Sequence, residues 1–169
     1  MAENKTDKNL QAAFAGESQA NRRYLFFAEK AEKEKQPQLA RLFRAVAEAE
    51  TVHARNHLNA MDAIGSTKDN LMAAAAGEHY EFTSMYPPFI EQAAQENNKR
   101  AERSFGLANQ VEQVHHKLFN EAIEALNSDA KLKEEPYYVC PVCGNTFVGA
   151  APDICPICGT ARSMFKKIE

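Results

Sequence analysis

Two Glu-x-x-His motifs stand out among the residues that could do chemistry. The motifs are Glu50–His53 and Glu112–His115. Residues three apart on an α-helix lie on the same face, so each motif points one carboxylate and one imidazole in the same direction. One such motif is expected by chance in many helices, whereas two in separate amphipathic segments are a specific signal. Carboxylate and imidazole donors on facing helices are typical of dinuclear iron or manganese sites.

Glutamates also interrupt the apolar stripes of two further segments. Glu17 lies in the stripe of the first segment, and Glu78 and Glu81 lie in that of the third. Ionised carboxylates do not cluster in a low-dielectric interior unless cations neutralise them. Four segments that each place a carboxylate on the inward face therefore predict a metal site.

An internal repeat relates the two halves of this region. The Ala-Gly-Glu motif that ends at Glu17 recurs at Glu78, an offset of 61 residues, and the Glu-x-x-His motif recurs at an offset of 62. The chain therefore reads as a duplicated helix pair. Glu81 has Ala20 opposite it in this comparison, so Glu81 is an additional carboxylate.

Amphipathic helices would position these side chains. Gly65 suits the residue after the second helix, and Thr67 suits the N-cap of the third, while Pro87–Pro88 should bend or break the third helix. The apolar periodicity predicts helices over about Lys8–Lys33 and Pro37–Ile64, a third helix that starts after Thr67, and a fourth over Lys99–Leu126.

All four cysteines lie near the C-terminus, in two Cys-x-x-Cys-Gly motifs separated by 11 residues. Four thiolates at this spacing are typical of a tetrahedral site for zinc or a single iron. They are Cys140, Cys143, Cys155 and Cys158.

Composition changes where the helical pattern ends. Four of the seven prolines lie from Pro136 onward, and this tail has few apolar residues, so we expect it to need its metal to fold. The sequence therefore predicts an all-α four-helix domain over residues 1–134 and a small, zinc-ribbon-like metal module with short β-strands over residues 135–169.

Charge and hydropathy exclude several classes of protein. The net charge of −3 argues against a nucleic-acid or anionic-membrane binder, and there is no apolar run of about 18 residues that would span a membrane. The first ten residues lack the apolar region of a secretory signal. We therefore expect a cytoplasmic protein whose cysteines bind metal rather than form disulfides.

With these motifs in place, the chain resembles the rubrerythrin family, in which a ferritin-like di-iron four-helix domain is fused to a rubredoxin-like iron module. Residues 14–24, 42–57, 77–87 and 138–159 carry the resemblance. The resemblance implies one iron in the four-cysteine site, where zinc can substitute, and two non-haem irons whose ligands are Glu17, Glu50, His53, Glu78, Glu81, Glu112 and His115.

The resemblance also implies catalytic roles. One iron would move between His53 and Glu81 as the redox state changes, and Tyr24 and Tyr86 match the tyrosines of the family's pocket. The residues alone leave open whether these tyrosines take part in chemistry or fill the core. We expect His57 to have a packing or supporting role, and His79 and His116, which follow two of the ligands, to lie at the surface.

Three functions fit these sites. The first is reduction of hydrogen peroxide to water at the di-iron centre in defence against oxidative stress, with electrons from NAD(P)H through a separate reductase or a rubredoxin. The second is ferroxidase or iron-storage activity with a structural zinc tail, and the third is electron transfer by the tail alone. Glu81 and the fused module favour the first.

The connection between the second and third helices bears on the oligomeric state. Gly65–Thr67 reaches only about 10 Å, against roughly 40 Å for a helix of about 27 residues, so these three residues cannot form the long crossover of a ferritin-like bundle. A simple up-down-up-down monomer remains one solution. We favour a homodimer in which helices 1 and 2 of one chain pack with helices 3 and 4 of the other, so that Glu17, Glu50 and His53 come from one subunit and the other four ligands from its partner.

Overall fold

The computed structural model describes residues 4–128 and 130–169 of the chain. The predicted class is confirmed, because long helices are followed by a small module of short strands that contains the four cysteines. The chain divides into two compact units, and the boundary between them lies between Gly65 and Ser66. Helices and strands lie at α1 Lys5–Lys33, α2 Pro37–Ala60, α3 Thr67–Tyr80, a π-helical turn Glu81–Met85, α4 Tyr86–Gln95, α5 Lys99–Asn127, β1 Tyr137–Val139, β2 Thr146–Val148, a 3-10 turn Arg162–Met164 and β3 Lys166–Ile168.

The first unit is the antiparallel pair of α1 and α2. Ala28, Ala31 and Ala40 are buried where the helices meet, since small side chains let the backbones approach closely. Farther along the pair, the Asn21 side-chain amide donates to the Ala47 carbonyl at 2.7 Å. These contacts hold the two helices in one register.

The second unit repeats this arrangement. The helical run from α3 through α4 packs against α5, and Asn98 caps the start of α5 by accepting a hydrogen bond from the Ala101 amide at 3.1 Å. The residue before the cap, Asn97, has a φ of 56°, and its counterpart Lys35 in the α1–α2 turn has a φ of 58°. The two helix pairs therefore reverse direction through the same left-handed turn.

Aromatic packing shows how closely the two pairs correspond. The Phe27 and Phe43 rings lie 5.6 Å apart, and so do those of Phe89 and Phe105. A tyrosine packs on the second ring at 6.3 Å in each pair. The corresponding residues, each offset by 62, are Tyr24, Phe27 and Phe43 in the first pair and Tyr86, Phe89 and Phe105 in the second.

The π-helical turn explains why the repeat offset changes. The offset is 61 at Glu78 but 62 at Tyr86, so the second pair holds one more residue between these positions. The turn Glu81–Met85 lies there, and a π-helical turn takes up one more residue than an α-helical turn does. The expected break at Pro87–Pro88 is confirmed, because α3 ends at Tyr80 and a separate helix, α4, begins at Tyr86. Both prolines lie in the first turn of α4, where a missing N–H is tolerated.

The predicted C-terminal end of α2 and the predicted N-cap of α3 are wrong. Helix α2 ends at Ala60 rather than at Ile64, and Asp62 rather than Gly65 takes the left-handed conformation, with a φ of 50°. Helix α3 is capped by Ser66, whose hydroxyl accepts from the Asp69 amide at 3.2 Å while the Asp69 carboxylate accepts from the Ser66 amide at 3.2 Å.

The C-terminal module is a three-stranded antiparallel sheet in the order β2-β1-β3. Tyr138 pairs with Phe147 on one side and with Lys167 on the other. The Phe147 and Phe165 rings stack at 5.4 Å. The boundary predicted at residues 134 and 135 falls between α5 and β1 and stays a prediction. Among the described residues, no helix is long and apolar enough to cross a membrane.

The duplicated aromatic clusters predict matched effects on stability. Phe43→Ala and Phe105→Ala should each lower the free energy of unfolding by about 2 kcal/mol, less than a fully buried phenylalanine, because both rings are half-buried. Phe26→Ala is the control, since that side chain is 63% exposed and its loss should change the free energy by under about 0.5 kcal/mol. Denaturant titration of the three variants would measure this, and unequal losses for Phe43 and Phe105 would contradict the equivalence.

Candidate metal centres

The four cysteines converge in the C-terminal module as free thiols. The Sγ atoms of Cys140 and Cys158 lie 3.5 Å apart, and those of Cys143 and Cys155 lie 3.6 Å apart. A tetrahedral site with metal–sulfur distances of about 2.3 Å separates its sulfurs by about 3.8 Å. The donor set therefore fits one tetrahedral iron or zinc ion.

Two equivalent backbone turns present these sulfurs. Gly144 and Gly159 follow the second cysteine of each motif with φ values of 85° and 78°, and each glycine amide donates to the carbonyl of the first cysteine at 2.9 Å. Burial opposes ionisation of Cys155, but hydrogen bonds from the backbone N–H groups of Cys158 and Ile157 and from neighbouring cysteine side chains together hold the pKa of this thiol below its usual range. Burial instead raises the pKa of Cys143, so the two turns do not shift all four thiols in the same direction.

The first helix pair gathers Glu17, Glu50 and His53. Their ligand atoms all lie within 4.8 Å of one another, and His53 Nδ1 is 2.7 Å from Glu50 Oε2. The Glu-x-x-His spacing on α2 produces this geometry, and α1 brings Glu17 to the same place. The His53 side chain is 54% exposed, and within the described residues only its Nδ1 has a hydrogen-bonding partner.

The second helix pair gathers Glu78, Glu112 and His115 in the same way. Their ligand atoms also lie within 4.8 Å of one another, with His115 Nδ1 2.8 Å from Glu112 Oε2 and 3.9 Å from Glu78 Oε2. Burial first, and then the neighbouring Glu112 and Glu81 carboxylates, raise the pKa of Glu78 to about 7. Carboxylates that crowd in this way fit a cation, which would take the place of the retained proton.

Glu81 lies beside this second triad rather than within it. It is the first residue of the π-helical turn, and its ligand atoms are not among those that lie within 4.8 Å of one another in the described part of the chain. Burial raises the pKa of Glu81, and the charge of Glu112 adds to this rise. Glu81 is therefore close enough to interact electrostatically with the triad, but it is not one of the triad's three donors.

The two tyrosines lie in different electrostatic surroundings. Both pack against a phenylalanine ring, as the core-filling alternative expects. Burial also raises the pKa of Tyr86, with further contributions from Glu81, Glu112 and Glu78 in that order. Tyr86 therefore faces the carboxylates of the second pair in addition to packing.

The remaining histidines differ from expectation at one position. His116 is half-buried rather than a surface residue, because its Nδ1 donates to the Ala75 carbonyl at 2.9 Å across the helix pair. His79 is exposed, as predicted, and its ring lies 5.2 Å from that of His116. His57 is half-buried, and its supporting role stays a prediction.

Sequence reasoning missed two features of the site. The first is the π-helical turn that begins at Glu81, although the change of repeat offset from 61 to 62 was a signal for it. The second is a contact between the second triad and the cysteine module. His115 Nε2 lies 3.1 Å from Thr146 Oγ1 and 3.3 Å from the Gly144 carbonyl oxygen. No sequence pattern predicts a hydrogen bond between residues about 30 positions apart.

Comparison with known proteins agrees with both metal sites. The family model for rubrerythrin matches residues 8–123, and the model for the rubredoxin-like domain of rubrerythrin matches residues 138–166. Rubrerythrin-2 of Clostridium acetobutylicum is 37% identical over 93% of each chain. Nigerythrin of Nitratidesulfovibrio vulgaris is 33% identical over 95% of this chain and 85% of its own length.

A solved structure gives the same result at the level of the fold. Nigerythrin in its fully reduced, all-ferrous state aligns with a TM-score of 0.58 at 31% identity, over 99% of this chain and 89% of that one. Two family models that together extend over most of the chain and relatives above 30% identity agree with the donor sets described above. The chain therefore belongs to the rubrerythrin family of oxidoreductases, and its cofactors are a carboxylate- and histidine-bound iron pair and a single iron held by four cysteines.

Proposed function

We propose that this chain is a peroxidase that reduces hydrogen peroxide to water. The observation that carries the proposal is the contact between His115 of the second triad and Gly144, the residue after Cys143. A four-thiolate site has no open position for a substrate but exchanges single electrons readily, whereas a carboxylate-rich site can accept oxygen ligands. A chain that places the two in contact is suited to electron delivery to an oxidant.

The overall reaction is H2O2 + 2 H+ + 2 e− → 2 H2O, in which the O–O bond breaks and both oxygens are reduced. The bound iron pair would supply the two electrons, and a donor of the NAD(P)H–reductase or rubredoxin type would replace them one at a time through the four-cysteine site. A reducing, cytoplasmic setting is consistent with four free thiols held for metal.

The residues of the second helix pair provide the surroundings that this reaction needs. An open groove of about 500 Å³, lined mainly by apolar side chains, adjoins Glu78 and His115. Glu81 and Tyr86 both interact electrostatically with the triad carboxylates. We assign these two residues to proton and ligand exchange near the substrate. His53, exposed and held only through its Nδ1, is the ligand that we expect to be exchanged for Glu81.

The active form would be a homodimer with exchanged helix pairs. The connection of Met61–Ser66 is six residues, which reach about 20 Å, whereas α2 with its 24 residues is about 36 Å long. Phe27 and Leu42 are 47% and 56% exposed on the helix pair that carries the first triad. Such an apolar face needs a partner, and a second copy of this chain supplies one through its α3–α5 helices.

Reaction with peroxide is the direct test of the function. In stopped-flow mixing, the fully reduced protein should be oxidised much faster by hydrogen peroxide than by dioxygen, because the proposed site is suited to cleaving a peroxide O–O bond. Oxidation by dioxygen at an equal or higher rate, with ferric iron accumulating in the protein, would instead favour a ferroxidase.

Glu81 tests the role of the additional carboxylate. Glu81→Ala should keep metal content near that of the parent protein, because the three donors of the second triad remain, while peroxide turnover falls by at least about tenfold. Glu91→Ala is the matched control, an exposed glutamate on the same helical run that should leave both quantities unchanged. Turnover of Glu81→Ala equal to that of the control would show that Glu81 takes no part in the reaction.

Mixed dimers test the exchange of helix pairs. Glu50→Ala and Glu112→Ala chains, each inactive alone because a triad is broken, are unfolded together, refolded with iron and assayed. If the helix pairs are exchanged between subunits, the sample should recover about a quarter of the parental activity. Half of the dimers are then mixed, and each mixed dimer has one intact site and one site that carries both substitutions. No recovery in the co-refolded sample would exclude exchange, because each chain of an unexchanged dimer keeps its own lesion.

A further inference from the structure

The hydroxyl of Thr146 joins the cysteine module to the second triad. It lies 3.2 Å from the Gly144 carbonyl oxygen, to which it donates, and 3.1 Å from His115 Nε2. Because its one proton is directed to Gly144, the hydroxyl accepts from His115. The Nε2–H of His115 therefore has two acceptors, the Thr146 hydroxyl and, at 3.3 Å, the Gly144 carbonyl.

This arrangement fixes which nitrogen of His115 is free to bind a metal. A neutral imidazole carries one proton, and the two acceptors hold it on Nε2, so the lone pair is on Nδ1. Nδ1 faces Glu112 and Glu78, where the other donors of the triad lie. The ring can hardly rotate without losing both bonds to the cysteine module.

The position of Thr146 depends in turn on the cysteine turn. Gly144 has a φ of 85°, and its amide donates to the Cys140 carbonyl at 2.9 Å, so its carbonyl is oriented by the same turn that presents the sulfurs. Val111, one turn before His115 on α5, is 2% exposed and lies against Gly144, at whose position a Cβ would be 3.8 Å from the valine Cγ1. The module therefore packs against α5 through an apolar contact as well as through hydrogen bonds.

We infer that Thr146 is a positioning residue for the carboxylate–histidine metal site, and that the four-cysteine module supports this site structurally as well as by supplying electrons. The inference rests on the assignment of His115 as a metal ligand in the proposed function. A hydrogen-bonding partner of a ligating histidine contributes 10- to 100-fold to metal affinity in comparable sites. His53 has no equivalent partner in its helix pair, so the support is confined to one of the two histidines.

The test measures metal affinity in full-length protein whose cysteines hold one equivalent of zinc, which thiolates bind in preference to carboxylates. Zinc does not change its redox state, so electron transfer contributes nothing to the result. Co2+ is the probe of the carboxylate–histidine site, and its dissociation constant follows from chelator competition monitored by visible absorption. Thr146→Val should weaken Co2+ binding by about 10- to 100-fold, while Thr146→Ser, which keeps the hydroxyl, should restore it to within about threefold.

Thr160→Val is the matched control. Its hydroxyl lies 3.1 Å from Cys158 Sγ in the same module and does not contact His115, so Co2+ affinity should stay at the parental value. Parental affinity in Thr146→Val would overturn the inference, and so would an equal loss in Thr160→Val, which would indicate general loosening of the module. Neither affinity measurement involves peroxide, so the experiment would test the role of Thr146 even in a protein without peroxidase activity.

A measurement on the unmodified protein decides the matter if Thr146→Val no longer retains zinc. With zinc in all sites, nitrogen-15 spectra of the histidine rings should show the His115 proton on Nε2, exchanging with water more slowly than the ring proton of His57. A proton on Nδ1, or exchange as fast as that of His57, would overturn the inference.

Discussion

Carboxylates that face one another between packed helices repel, and the helical part of this chain is arranged around that repulsion. Burial, together with the neighbouring Glu112 and Glu81 carboxylates, raises the pKa of Glu78 to about 7. A positive ion removes the cost of bringing such groups together, and an apolar core cannot do so. The clustered carboxylates therefore fit a bound metal, and the aromatic clusters farther along each pair pack the two helices together.

The same constraint explains why the chain is built from two similar halves. Each helix pair gathers three donor side chains, and the second pair repeats the donor set of the first. The equal aromatic distances in the two pairs show that duplication preserved the packing between the two helices of each pair. The one-residue insertion then altered the second copy alone, because the π-helical turn places Glu81 where the first copy has no carboxylate. The insertion makes the two halves chemically different while their packing stays the same.

The sequence predicted the donor sets because helical periodicity decides which residues share a face. Glu112 and His115 must point the same way on any helix, and Cys140 and Cys143 must form a tight turn if both are to reach one ion. The ends of α2 and α3 were less predictable. A glycine marks the helix end only where it alone takes a left-handed conformation, and Asp62 takes it here instead.

Long-range contacts were not predictable at all. The burial of His116 depends on the Ala75 carbonyl of another helix, and the restraint on His115 depends on a threonine in another domain of the fold. Periodicity identifies the inward face of a helix but not the atom that a side chain meets there. Hydrogen bonds of this kind depend on how the helices and strands pack, and local patterns in a single sequence do not predict that packing.

The cysteine module breaks the symmetry that duplication created. Both triads share a glutamate from one helix and a Glu-x-x-His pair from the other, and in the second triad the other ring nitrogen of His115 is bonded to the module. The His53 side chain is 54% exposed, against 25% for His115. A ligand held on both sides of its ring keeps its position when the charge of the site changes, whereas a ligand held on one side can leave. His115 is therefore the more constrained of the two histidine side chains, and His53 is the one with more freedom to change its position.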